Sequence, residues 1–173
     1  MVAGVTLVTE RLTLRRLSDA DIPAIVAGIN DYDVSKWLTV VPYPYSEADA
    51  REFLGFLDTG PALEGFGIHA PEGLVGVVGI GKTLGYWLAR TAHGKGYMTE
   101  AAGALVGHYF DTTDAARLQS GYFVGNAASK NVLTKLGFVP DGEEQAMSVS
   151  QGIEVTLKKV ALTREGWTAR HGG

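Results

Sequence analysis

Two glycine-bearing stretches carry residue types that hold phosphate, and a third stretch carries a hydroxyl that helix formation leaves unexplained. The first, Gly76-Val77-Val78-Gly79-Ile80-Gly81-Lys82-Thr83, fits G-x-x-x-x-G-K-[ST], the phosphate loop of nucleotide triphosphatases. That loop works only when its Lys and Ser/Thr open a helix whose N-terminal amides point at the phosphates. The residues that follow are Leu84-Gly85-Tyr86-Trp87-Leu88, whose aromatics favour a strand and whose glycine disfavours a helix. The remaining chain is also short for a parallel nucleotide-binding sheet with its helices. The stretch therefore reads as a glycine-rich hairpin. A phosphate-loop NTPase is the remote alternative, and it predicts Mg²⁺-dependent ATP binding lost in Lys82→Ala.

The second stretch, His93-Gly94-Lys95-Gly96-Tyr97-Met98, has the setting that the first lacks. An apolar strand at Leu84–Ala89 runs into a two-glycine loop and then into a helix over Tyr97–Phe110. Glycines let the backbone turn its amides toward a ligand, and the helix dipole favours an anion there, so this geometry suits phosphate or pyrophosphate. Lys95 and Arg90 stand where they either add positive charge or are simply solvated. The third stretch is Asn126 through Phe138, in which Asn126 is a natural N-cap, Val132, Leu133 and Leu136 form a buried stripe, and Gly137 suits the position after the helix. Helix formation explains all of these but not Ser129, which ranks below Ala inside a helix. If its preceding strand, Leu118–Val124, neighbours Leu84–Ala89, both helix starts face one cleft and Ser129 sits beside the ligand.

The elements that must position these residues follow from periodicity. Val5 to Arg16 alternates as two short strands or one bent strand, broken near Thr9-Glu10. Ser18 opens a helix through about Asn30 that buries Ile22, Ile25, Val26 and Ile29, and Ser46 caps a second helix through about Leu57. Short apolar runs at Phe66–Ile68, Leu74–Ile80 and Leu84–Ala89 read as an antiparallel meander. Helix Tyr97–Phe110, strand Leu118–Val124, helix Ala127–Leu136 and strands near Glu144–Val149 and Glu154–Val160 complete the order, with a frayed tail that includes His171.

Composition narrows the classes. With 173 residues the chain is expected to form one domain spanning 1–173. The absence of cysteine removes disulfides, thiolate ligands and thiol nucleophiles. A net charge of -4 argues against nonspecific nucleic-acid binding, so an anionic ligand must be held locally. No apolar run approaches a membrane span, and Met1-Val2-Ala3-Gly4-Val5-Thr6 lacks the regions of a secretion signal, so a cytoplasmic protein is expected. The histidines, His69, His93, His108 and His171, are not spaced as a metal set.

Taken together, Thr9-Glu10-Arg11-Leu12 with Leu14-Arg15, Pro42-Tyr43-Pro44-Tyr45, Leu84-Gly85-Tyr86-Trp87-Leu88, Gly94 through Ala101 and Asn126 through Phe138 resemble the GNAT superfamily of N-acetyltransferases, in particular its RimJ/RimL-like group. The resemblance implies an α+β fold with a central mixed, mostly antiparallel sheet of about seven strands, flanked by about four helices and splayed at the fourth and fifth strands. It implies that the pantetheine arm of acetyl-CoA enters that splay. The pyrophosphate would lie on the amides of the Ala92–Met98 loop, with His93, Gly94, Lys95, Gly96, Tyr97 and Met98 as its residues. Backbone groups near Trp87, Leu88 and Ala89 would pair with the pantetheine and polarise the acetyl carbonyl, and Asn126 and Ser129 would line the other side. Against the family's loop pattern, [Q/R]-x-x-G-x-[G/A], His93 stands at the Arg/Gln position and Met98 at the small one.

The implied reaction is direct attack of a primary amine, either a protein N-terminal α-amine or a small-molecule amine, on acetyl-CoA in a ternary complex. Ser129 is the candidate general acid, with Asn126 supporting it. No base is assigned: relatives often carry a carboxylate just before the Leu-Gly-Tyr-Trp strand, where this chain has Thr83, and Glu64, Glu143, Glu144 and Glu154 read as solvated surface. The competing reading is a noncatalytic acyl-CoA-binding or sensing module. No metal, nucleic acid or membrane is expected as a partner; the choice between a monomer and the homodimer common among relatives is left open by the sequence.

Overall fold

The computed structural model describes residues 4–171; Met1, Val2 and Ala3, on which the expected lack of a secretion signal partly rests, lie outside them. The N-terminal pattern resolves into two strands, β1 (Leu7–Val8) and β2 (Thr13–Arg16), because the Thr9 amide donates to the Leu12 carbonyl and turns the chain between them. A 3₁₀ turn at Asp19–Asp21 leads into helix α1 (Ile22–Ile29), and the Asp21 carboxylate caps the turn by accepting from the Ser18 amide. Helix α3 (Glu47–Thr59) starts where Ser46 predicts, with Ser46 Oγ and the Asp49 carboxylate each accepting from the other's amide. Between them lies a single helical turn, α2 (Tyr32–Ser35), that the sequence reading lacks.

Strands β3 (Phe66–Ala70), β4 (Gly73–Ile80) and β5 (Leu84–Leu88) form the expected meander, and β1 to β5 pair antiparallel in chain order. Helix α4 (Tyr97–Thr112), strand β6 (Arg117–Phe123) and helix α5 (Ala127–Leu136) follow. The hairpin β7 (Val139–Ser148) and β8 (Ile153–Thr163) pairs with β6 in the order β6-β8-β7. Helix α5 stops at Gly137, whose φ of 105° places it in the left-handed region. The Gly137 and Phe138 amides reach back to the Thr134 and Leu133 carbonyls, so β7 begins directly after the cap.

The larger sheet is buried on both faces. Val78 and Ile80 of β4 turn toward Ala101, Leu105 and Val106 of α4 and Leu133 and Leu136 of α5. Val77, of opposite parity, meets Ile25 and Ile29 of α1 and Leu54 and Leu57 of α3. The α+β class and the mostly antiparallel sheet are as expected. Among the described residues the strands number eight and not about seven, because the N-terminal segment is split, and the splay therefore falls between the fifth and sixth strands.

The tail differs from expectation too. Residues Arg164–His171 form a helix, α6. Trp167 packs toward Phe110 and stacks on His171 at 3.5 Å, and Arg164 donates to the Phe110, Thr113 and Ala115 carbonyls. A helix anchored through a single large apolar residue has no periodicity to read.

The phosphate-loop pattern is a hairpin. Gly76 to Ile80 lie in β4, and β5 follows Lys82-Thr83 with no helix. Its glycines serve backbone approach: a Cβ on Gly76 would clash with the Trp87 carbonyl oxygen, and one on Gly79 with the Gly65 nitrogen.

Candidate active site

Strands β5 and β6 run parallel but meet at one end only, where Thr83 bridges to Gln119 and Ser120 Oγ donates to the Leu84 carbonyl at 2.8 Å. Beyond that point they part. The opening is a cleft of about 980 Å³, bounded by β5, the loop at 90–96, β6 and the start of α5.

Alternation along β5 decides which backbone groups face the cleft. The Ala89 amide donates to Val75, and the Trp87 carbonyl lies against Gly76, so both residues direct polar groups into the sheet. Tyr86 and Leu88, of the other parity, present theirs to the open edge, where the Leu88 carbonyl lies 3.0 Å from His93 Nε2. The Trp87 side chain packs on α1, where it lies within 2.8 Å of the position that a Cβ on Gly28 would take.

A 3₁₀ turn at Arg90–Ala92, pinned by buried Ala92, carries the chain into the glycine loop. Gly94 and Gly96 have φ of 77° and 78°, which L residues adopt only with strain. Gly96 is the N-cap of α4 and has no side chain to satisfy the helix's first amides, which are left turned toward the cleft. The Tyr97 and Met98 side chains are buried in the core, so these residues can offer a ligand only their amides. This explains how the large Met98 fits where the family pattern has a small residue. A sixteen-residue helix that opens on an uncapped glycine turn is chemically suited to pyrophosphate.

The loop is gripped from behind by groups to which the sequence reading gave no role. Arg11 Nη1 donates to the Lys95 carbonyl at 2.7 Å, and Arg11 Nε and its amide both donate to Glu100, at 2.8 and 2.9 Å. Thr9 Oγ1 donates to the same carboxylate. Burial works to raise the Glu100 pKa, but the hydrogen bonds from Thr9 and Arg11 outweigh it and hold the carboxyl below its ordinary range. On the other flank, Glu72 accepts from Lys95 Nζ at 3.0 Å and from the Tyr97 hydroxyl at 2.9 Å. Lys95 is thereby neutralised, and Arg90 is likewise paired with Asp31 and Asp33. Neither supplies the uncompensated positive charge that its place in the sequence suggests.

Across the cleft, Asn126 Oδ1 accepts from the Ser129 amide at 3.2 Å, the cap its position implies. Ser129 Oγ lies 2.7 Å from the Tyr86 hydroxyl. Burial pushes the Tyr86 phenol up to about 12, a rise that the Ser129 bond opposes. Of the four candidate carboxylates, Glu144 lines the cleft. Glu143 pairs with Lys158 at 2.6 Å, Glu154 is exposed on β8, and Glu64 sits beside Gly79 and Gly81 with its pKa raised by burial. Alternation in Leu84-Gly85-Tyr86-Trp87-Leu88 was the available signal for Tyr86, whereas Glu72 and Glu144 carry none in the sequence. Among the described residues no group of three or more His, Asp or Glu is placed to hold a metal, and no helix is long and apolar enough to cross a membrane.

Residues 11–139 match the family model described as the acetyltransferase (GNAT) domain. The chain is 25% identical over 174 residues to YdaF of Bacillus subtilis (strain 168), which is provisionally named a ribosomal N-acetyltransferase; the match covers 92% of this chain and 95% of that protein. Its fold superposes on Mycobacterium smegmatis RimJ in complex with CoA-disulfide with a TM-score of 0.79, at 20% identity and covering 94% and 87% of the two chains. The RimL ribosomal L7/L12 alpha-N-protein acetyltransferase in complex with coenzyme A gives 0.78, at 21% identity over 94% and 99%.

Proposed function

The chain belongs to the GNAT acetyltransferase family and transfers an acetyl group from acetyl-CoA to an amine, and we propose that it does so in the cleft between β5 and β6. The observation that carries this reading is the uncapped, two-glycine start of α4, which opens onto the same cleft as Ser129. The amides of Gly94 to Met98 hold the pyrophosphate. The open edge of β5 at Tyr86 and Leu88 pairs with the pantetheine. Bound acetyl-CoA supplies the activated acetyl group.

The chain's own residues supply position and proton transfer. An amide on the β5 edge donates to the acetyl oxygen as negative charge develops there. Asn126 caps α5 and so fixes Ser129, whose hydroxyl protonates the leaving sulfur. Glu144, the one of the four candidates that borders the cleft, takes the proton of the attacking amine, directly or through water.

For the acceptor, a polypeptide α-amine is the favoured class. Trp37, Leu38 and Thr39 line one side of the cleft, and the Val149 amide donates to the Thr39 carbonyl, which ties the turn between β7 and β8 to that side. The names of YdaF and RimL are consistent with this class. Thioester consumption should be measured with short peptides bearing free or blocked N-termini and with small-molecule amines. Turnover with free N-termini only is the expected result. Saturable acetyl-CoA binding without turnover across the whole panel would leave a binding or sensing module as the better account.

A further inference from the structure

The bond between Tyr86 and Ser129 crosses the splay and ties two elements that share no ladder there. Tyr86 stands on β5 and Ser129 on the first turn of α5, and their oxygens lie 2.7 Å apart. Tyr86 is partly buried, packed against the core while lining the cleft, and its hydroxyl meets Ser129 Oγ there.

We infer that Tyr86 is the second member of the acid: it passes its proton to Ser129 Oγ as Ser129 protonates the departing thiolate. The inference rests on the reading of Ser129 as the acid and goes beyond it. A serine hydroxyl acting alone must leave an alkoxide, whereas a phenol is the far stronger acid and holds the charge better. In the step, the amine nitrogen bonds to the acetyl carbon and the carbon–sulfur bond breaks, its electron pair going to sulfur. Sulfur takes the Ser129 proton, and Ser129 Oγ takes the Tyr86 proton. The extra proton on nitrogen goes to Glu144 or water, and solvent returns one to Tyr86, so the balance is neutral. The phenol's elevated pKa of about 12 keeps it protonated, and able to donate, throughout the neutral range.

A purely mechanical strut would use the same bond, and leaving-group dependence separates the two roles. Acid catalysis matters most for a basic leaving thiolate and little for an acidic one. Acetyl-CoA and the acetyl thioester of an arylthiol should be compared in wild type, Tyr86→Phe, Ser129→Ala and the double variant. The expected result is a kcat loss of ~10²-fold in Tyr86→Phe with acetyl-CoA, shrinking to about threefold or less with the aryl thioester. The double variant should be no slower than Ser129→Ala. In the free protein, the ¹³Cζ resonance of Tyr86 should shift in Ser129→Ala while the other tyrosines hold, a readout independent of turnover.

Equal losses with both thioesters in Tyr86→Phe would overturn the relay and leave a strut. A full kcat in Tyr86→Phe beside a slow Ser129→Ala would remove Tyr86 alone. A full kcat in Ser129→Ala would instead remove the reading beneath it. Unchanged melting temperatures of the variants show that the comparison is made on folded protein.

Discussion

At the residue scale, a few atoms around the cleft have losses with distinct signatures. Ser129→Ala keeps the helix, since Asn126 accepts from the residue 129 amide and not from the hydroxyl, so the cap survives. It should lower kcat by ~10²-fold with little change in the KM for acetyl-CoA, measured by steady-state thioester consumption. Gly96→Ala should do the reverse. A Cβ there meets Arg11 Nη2 at 3.4 Å and forces an alanine to φ near 78°, a strain of ~1–2 kcal/mol, so the loop relaxes away from its binding shape. The KM for acetyl-CoA should rise about tenfold while kcat holds. Gly94, Gly96, Asn126 and Ser129 were all legible as chemistry because glycine pairs before a helix and a hydroxyl with no helical reason each have a local meaning. Tyr86 was harder to read, since an aromatic residue in a strand is explained by packing alone. Its hydroxyl acquires a partner only when a segment 43 positions away folds over it.

At the element scale, the glycine loop is the start of α4 held between two clamps, Arg11 with Glu100 on one flank and Glu72 with Lys95 and Tyr97 on the other. Arg11→Ala removes the donor to the Lys95 carbonyl without touching the cleft. Amide hydrogen exchange at residues 94–98 should quicken and the KM for acetyl-CoA should rise severalfold. A pH dependence follows from Glu100. Its folded pKa is depressed, so its contribution is complete above its ordinary value of 4.5 and is lost as pH falls through the lower folded value. Denaturant unfolding of Glu100→Gln should therefore show a shallower loss of stability below about pH 4.5 than wild type, and the two curves should run parallel above it. The motif Thr9-Glu10-Arg11-Leu12 was visible in the sequence, but its purpose was not. Thr9 and Arg11 meet Glu100 across 91 and 89 positions of chain, and spacing conveys nothing at that range.

At the scale of the whole molecule, two sheets share one end and separate at the other, and the cleft is that separation. The meander, the helices that cover it and the order of elements were legible from period and capping, because those signals are local. The divergence of β5 from β6 and the anchoring of α6 were not, because each depends on contacts between distant segments. Trp167→Ala should show how much the tail contributes: losing its packing beside Phe110 should cost about 2 kcal/mol in urea unfolding, with unchanged KM for acetyl-CoA because α6 lies away from the cleft. The central claim, that the uncapped start of α4 cradles the pyrophosphate while the thioester lies beside Ser129, is tested most directly by a crystal structure with acetyl-CoA bound. The account predicts pyrophosphate oxygens ~3 Å from amides within residues 94–98 and the thioester sulfur in reach of Ser129 Oγ. A pyrophosphate held elsewhere, with no contact from those amides, would contradict it.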